Sequence, residues 1–325
     1  MRKPTEPFSG FIDAFIVAKR ISPTTREDYL RYLRDFDKAT GHTSLKLALT
    51  LDNAAQWVDG MRKRGTHTAR NGAMALKSMA TWIAKSRYIV IPGGVSLLAG
   101  LETPKTPQSH RRAFTDEEME VIYQALEFRM TKDRSRARAA IMLMAEAGPR
   151  RNEVRQIRRE DLLVRPDRTG GAIRVRAETS KGNKERIARV GGVAIRAILA
   201  YLEDERRDYS PAPDQKNEPE PLFLTEQGRA FTKNGWGTYL DRVWDYLEKE
   251  TGIKGSSHFL RHTWATNYAR GMGMTGNSIY DFRREGGWSD SKTPERYTHE
   301  RPEAELLAMS APIDALRERR LRRVV

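Results

Sequence analysis

Apolar residues recur every three or four positions along most of this chain, and the interval shortens to two over one stretch near the middle. The first hundred residues carry only the longer, helical interval. Ser22-Pro23 has the form of an N-cap followed by proline at the first helical position, and Tyr29, Leu30, Leu33 and Phe36 follow at helical spacing. A second helix is expected from about Asp52, with Ala55, Trp57, Val58 and Met61 on its apolar stripe. A third is expected from about Thr66, with Ala73, Leu76, Met79, Ala80 and Ile83.

Residues 101–114, LETPKTPQSHRRAF, interrupt this periodicity with prolines and polar residues and are expected to form a linker. Thr115 and Glu118 then have capping-box spacing, which opens a second domain over 115–325. Residues 138–147, RAAIMLMAEA, are apolar on nearly every side and predict a buried helix. Residues 172–178 and 185–190 alternate around the polar TSKGN and predict a β-hairpin with Gly182 and Asn183 at a tight turn. The stretch 208–221, rich in proline and acidic residues, reads as an exposed loop. Helices resume from about 233, and a last amphipathic segment, 302–323, carries Leu306, Leu307, Met309, Ile313 and Leu316. The expected fold class is mainly α, with a small β-sheet confined to the C-terminal domain and a helical N-terminal domain over 1–100.

Composition narrows the function. The chain has 325 residues and a formal net charge of +15, which favours a polyanionic partner without specifying a fold. It has no cysteine, so disulfides, thiolate nucleophiles and thiolate metal sites are excluded. No apolar run is long enough for a membrane span, and the N-terminus MRKPTEPFSGF lacks the apolar core of a secretory signal. A cytoplasmic protein is the expectation. P-loop, HExxH and GxSxG patterns are absent, and GMGMTG at 271–276 lacks the βαβ surroundings of a dinucleotide loop. It is expected to be a flexible loop.

Several polar residues carry possible chemistry. Gly148-Pro149 is expected to open a helix, with Arg150 at its N-terminus, favourable for an anion, and Glu153 one turn on to orient the guanidinium. An arginine-rich surface helix would look the same. Lys181 sits at the predicted hairpin tip, with Lys184 as its competitor, and a lysine can protonate a departing alkoxide. His258 and Arg261, three apart, share a helix face suited to phosphate oxygens. His258 and His262 have the spacing of a zinc pair, but no glutamate follows His258 and Arg261 would repel a cation. Trp288 precedes Tyr297 by nine residues. A phenol is a weak nucleophile at neutral pH, but two arginines would stabilise the phenolate and the charge developing on phosphorus. Lys63, Arg64, Lys77, Lys85, Arg111, Arg112 and Arg151 are candidate contacts to the polyanionic partner, or simply solvated charges.

AGPRRNEV, SKGNKERI, HFLRHTWAT, EGGW and Tyr297 together resemble the tyrosine recombinase (phage integrase) family, and SPTTREDYLRYLRDF resembles that family's helical core-binding domain. The resemblance spans nearly the whole chain. Pro149, in place of the usual apolar residue, departs from the pattern, as does an interval between Arg261 and Trp288 a few residues longer than common. Few residues precede the core-binding pattern, which favours a simple Xer- or Cre-like member without a separate arm-binding domain.

The resemblance implies an α+β catalytic domain in which Tyr297 attacks the scissile phosphate and forms a 3′-phosphotyrosyl link. Lys181 would protonate the leaving 5′-oxygen and His258 assist proton transfer, while Arg150, Arg261 and Trp288 hold the phosphate. No cofactor, metal or ATP is implied. The implied partners are duplex DNA bearing a specific site, a homo-tetramer on that DNA and an accessory directionality factor, in a bacterial or phage setting at the nucleoid. The 302–323 segment would dock on a neighbouring protomer or pack in cis. A type IB topoisomerase or a catalytically silent DNA-binding protein on this scaffold are the alternatives.

Overall fold

Phe8, Phe11 and Phe15 lie one helical turn apart on α1 (Phe8–Ala18), and all are fully buried. In the computed structural model, which describes residues 3, 5–41, 43–86, 88, 97–106, 112–180, 182–213 and 218–298, the chain divides into two compact units, Met1–Ser109 and His110–Val325. Lys181, Arg111 and the 302–323 segment lie outside the described residues.

The first unit is all helix. α2 (Pro23–Ala39) begins where Ser22 accepts the Thr25 N–H, with proline at the first position. After the short α3 (Leu45–Ala48), α4 (Leu51–Arg62) and α5 (Thr66–Lys85) pack closely, with Gly72 letting α5 approach Trp57 and Met61. Phe36 meets both Phe8 and Trp57 edge to face at 5.3 Å. On α4 the buried alanine is Ala54, while Ala55 is exposed: the stripe set by Trp57, Val58 and Met61 runs through i−3 and not i−2.

The expected linker starts later than its composition suggests. Leu101 is 4% exposed within the first core, and Lys77 Nζ and Arg70 Nη1 donate to the Leu101 and Pro104 carbonyls at 2.7 and 3.1 Å. An apolar side chain at the edge of a proline-rich stretch completes the core before the chain leaves it. Lys77 thus works as a clamp, and Lys77→Met is expected to cost about 1 kcal/mol, the usual net worth of a hydrogen bond. A urea melt of the first unit's tryptophan fluorescence would show it.

The second unit is built around α7 (Arg134–Ala147), on which Ala139, Ala140, Ile141, Leu143 and Met144 are all fully buried. α6 (Asp116–Gln124) opens with the capping box of Thr115 and Glu118 and ends in a π-helical turn, Ala125–Arg129. Three antiparallel strands follow in the order β1 (Leu162–Val164), β2 (Gly170–Val175), β3 (Arg186–Gly191). Register pairs Ile173 with Ala188 and Val175 with Arg186, so β3 buries Arg186, Ala188 and Val190 on one face. The fold is mainly α with a small sheet in the second unit, as its pattern of apolar positions predicts. β1 is an addition. The hairpin tip is also longer than a tight turn, because 177–179 coil into a 3₁₀ turn and Asn183 adopts a left-handed φ of 48°.

α9 (Gly192–Ala200), α10 (Lys233–Thr251), α11 (Ser257–Thr275), α12 (Ile279–Gly286) and α13 (Lys292–Thr298) complete the described unit. GMGMTG is not a loop. Its first five residues end α11, and Gly276 caps the helix in the left-handed region at φ 71°. Met272, in this glycine-rich turn, packs against the cluster of Trp264, Ala265, Ala269 and Phe282, which favours the helical form. Among the described residues no helix is long and apolar enough to cross a membrane.

Candidate active site

The site begins at a reversal of the chain. Gly148, after α7, has φ +64°, and a Cβ there would lie 2.2 Å from the Trp264 ring, so only glycine fits. Pro149 follows, and the helix it was expected to open, α8 (Arg151–Gln156), starts two residues later, with Arg150 as its N-cap in extended conformation. That conformation turns the guanidinium back along the helix. Arg150 Nη1 and its own N–H both reach Glu153, at 2.8 Å each.

Glu153 is 2% exposed and has a second partner that motif reasoning missed. Arg186, the inward residue at the start of β3, donates to it from Nη1 at 3.2 Å and Nη2 at 2.6 Å, and from Nε to the Glu285 carbonyl at 2.9 Å. Burial pushes the Glu153 carboxyl up, but Arg186 and then Arg150 pull harder, leaving it below its ordinary value. One buried carboxylate therefore fixes two cations. The signal for Arg186 was strand alternation: with Ala188 and Val190 inward, Arg186 must face inward too.

Arg261, the fifth residue of α11, is 5% exposed. Nη1 donates to the Gly148 carbonyl and Nη2 to the Gly286 carbonyl, the latter at 2.5 Å. Carbonyls satisfy donors without neutralising charge. Burial, with Arg150 next, pushes its pKa down to about 9. The guanidinium lies 5.2 Å from the Trp288 ring centroid, and Trp288 stacks on Tyr297 at 6.1 Å. Tyr297, brought in on α13, is half-buried, and its hydroxyl lies 2.6 Å from His262 Nδ1. His258 is exposed one turn earlier, its ring edge-on to His262 at 4.8 Å. Arg150, Arg186 and Trp288 border a cleft of about 610 Å³, together with Ser180 and Gly182, the neighbours of Lys181, and with Lys184, Tyr280, Arg283 and Arg284.

Arg150, Glu153, Arg261, Trp288, Tyr297 and His258 thus converge from α8, α11, α13 and the turn after α12. The candidate DNA contacts are more varied. Lys63 and Lys85 are exposed, whereas Lys77 is held by its carbonyl. Arg64 pairs with Asp35 at 3.1 Å, Arg112 with Glu118 at 2.5 Å and Arg151 with Asp241 at 3.4 Å. Among the described residues no group of three or more His, Asp or Glu side chains is placed to hold a metal ion.

The phage integrase family model matches residues 112–304, more than half of the chain and every element of this site. The chain belongs to the phage integrase family. Its curated relatives include tyrosine recombinase XerC of Myxococcus xanthus, 29% identical over 286 residues that cover 86% of this chain and 88% of that protein. Tyrosine recombinase XerD of Listeria monocytogenes is 26% identical over 297 residues, covering 89% and 92%. Among solved structures, the Tn1549 transposon integrase in complex with a circular intermediate DNA superposes with a TM-score of 0.70 at 15% identity, covering 93% of this chain and 98% of that one. XerH recombinase bound to a palindromic difH substrate gives 0.62 at 18% identity, covering 92% and 94%. These two likenesses establish the integrase fold for the chain.

Proposed function

We propose that this integrase-family chain is a site-specific DNA recombinase that cuts and rejoins duplex DNA through a 3′-phosphotyrosyl intermediate. The observation that carries the reading is the position of the Tyr297 phenol, bonded to one imidazole and stacked on the indole that covers Arg261. A phosphate held by Arg150 and Arg261 would be approached by that oxygen from within the same protomer. As the Tyr297 oxygen bonds to phosphorus, the bond to the 5′-oxygen breaks, and Lys181 protonates the departing alkoxide. His258 and the Trp288 N–H donate to the non-bridging oxygens, whose developing charge the two guanidiniums neutralise. A 5′-hydroxyl from a partner strand then reverses the step. The phosphotyrosyl link conserves the bond energy, so ATP has no part.

Exchange between duplexes calls for several protomers on one DNA assembly, which supports a homo-tetramer, with an accessory factor setting direction. The work belongs where chromosomal or phage DNA lies, in the cytoplasm. Lys63, Lys85, Arg112, Arg151 and Arg111 are proposed backbone contacts, which makes binding steeply salt-dependent.

The test is covalent trapping on nicked duplexes taken from the DNA flanking the coding region. A denaturing gel should show a protein–DNA adduct with the wild-type chain and none with Tyr297→Phe. Sequencing the DNA end locates the site. Salt-sensitive binding without an adduct on any duplex would sink the recombinase reading in favour of a silent DNA-binding protein. Adducts with relaxation of supercoils by a lone protomer, and no strand exchange, would favour a topoisomerase.

A further inference from the structure

His262 stands one turn beyond His258 on α11, and from spacing alone it is the second half of a histidine pair. The fold gives it a more specific partner. Its Nδ1 lies 2.6 Å from the Tyr297 hydroxyl, with ring centroids 5.7 Å apart. A phenol of ordinary pKa near 10 is protonated at neutral pH, so its proton must leave as the O–P bond forms. The resemblance gives His258 a part in proton transfer, but the imidazole that meets the phenol oxygen at 2.6 Å is that of His262.

We infer that His262 is a catalytic residue, the base that takes the Tyr297 proton during cleavage and returns it during ligation. The inference rests on Tyr297 being the nucleophile. Geometry favours it first: Nδ1 is within hydrogen-bond reach of the atom that must lose the proton. The surroundings favour it next. His258 packs edge-on against His262 at 4.8 Å, and the Tyr297 ring lies 5.7 Å from it, so contacts with both hold the imidazole. Arg261 is the neighbouring residue on α11, and Arg150, the N-cap of α8, adds a further positive charge to the site. The position of His262 inside α11, directly after Arg261, fixes the imidazole's backbone relative to that of the phosphate-binding guanidinium.

The proton count closes. In cleavage the Tyr297 oxygen bonds to phosphorus, its proton passes to His262 Nδ1, and the released 5′-oxygen takes a proton from Lys181. In ligation the incoming 5′-hydroxyl gives its proton to Lys181, the tyrosyl–phosphorus bond breaks, and Nδ1 returns its proton to the phenolate. No proton is gained or lost over the cycle.

The test uses the full chain and single-turnover adduct formation on a nicked recombination-site duplex. His262→Ala and His262→Asn should each slow the adduct about 100-fold, the low end for loss of a general base, with melting temperature and DNA affinity unchanged. A second duplex carries sulfur in place of the bridging 5′-oxygen, whose thiolate leaves without needing a proton. The His262 defect should persist on it, while the defect of Lys181→Ala should shrink. His262→Asn at the wild-type rate would overturn the inference, because a hydrogen bond alone would then suffice. Relief of the His262 defect by sulfur would overturn it too, moving the residue to the leaving-group side. Should His262→Ala unfold, His262→Asn, closer in shape, decides. An adduct formed by Tyr297→Phe would instead remove the nucleophile assignment itself.

Discussion

Arg261→Lys should slow cleavage by on the order of 1,000-fold, at the upper end for loss of one preorganised donor to a developing oxyanion. The substitution keeps a formal cation, so the size of the loss depends on geometry and burial. Arg261 spans from the Gly148 carbonyl to the Gly286 carbonyl with its two terminal nitrogens, and its plane lies over Trp288. A lysine ammonium is a point charge and cannot hold both carbonyls and still face a phosphate. Burial and Arg150 already push even the arginine down to about 9. A lysine starts lower, and the same surroundings would drive it toward the neutral form. The variant therefore loses both the fork and the charge. The measurement is the single-turnover rate of adduct formation, beside DNA binding. A rate within tenfold of wild type, with binding intact, would mean that Arg261 only packs the site and that Arg150 carries the phosphate.

What could be read from the chain divides along physical lines. The long helices declare themselves, because caps such as Ser22-Pro23 and Thr115/Glu118 are local and their apolar stripes repeat over several turns. Arg150, Glu153, His258, Arg261, Trp288 and Tyr297 stand out as residue types at recognisable spacings, and the structure brings them together. Arg186 does not stand out, and His262 stands out only as half of a zinc-pair spacing, for a common reason. Each acquires its meaning from a partner distant in sequence: Arg186 from Glu153, 33 residues away, and His262 from Tyr297, 35 residues away. β1 is three residues long with its last two side chains exposed, too short for alternation to register. GMGMTG misleads in the opposite direction, since glycine composition suggests a loop where the packing of Met272 favours a helix. Leu101 and Phe114, at the two ends of the expected linker, are core residues of their units. A composition reading cannot see that, because it averages over the single apolar side chain that matters.

Glu153→Gln should be the most damaging substitution for stability in the second unit. The change is nearly isosteric and removes one negative charge. It leaves the Arg186 side chain, itself 2% exposed, with no buried counter-ion. Breaking a buried pair from one side costs about 3–5 kcal/mol, far more than an intact pair contributes. For a unit of this size that corresponds to a fall in melting temperature of roughly 10 °C. The pH dependence has a definite sign. Because the folded carboxyl lies below the ordinary glutamate value of 4.5, its stabilisation is complete above that pH and is lost as pH falls through the folded value. Wild type and variant should therefore converge in acid and differ fully at neutral pH.

A second substitution separates stability from catalysis. Glu153→Gln with Arg186→Met removes both charges, so much of the lost stability should return. Adduct formation should not return with it, since Arg150 takes its orientation from the Glu153 carboxylate at 2.8 Å and would remain unheld. Recovery of both would mean that Arg150 finds its place without Glu153, and that the carboxylate serves only to neutralise Arg186.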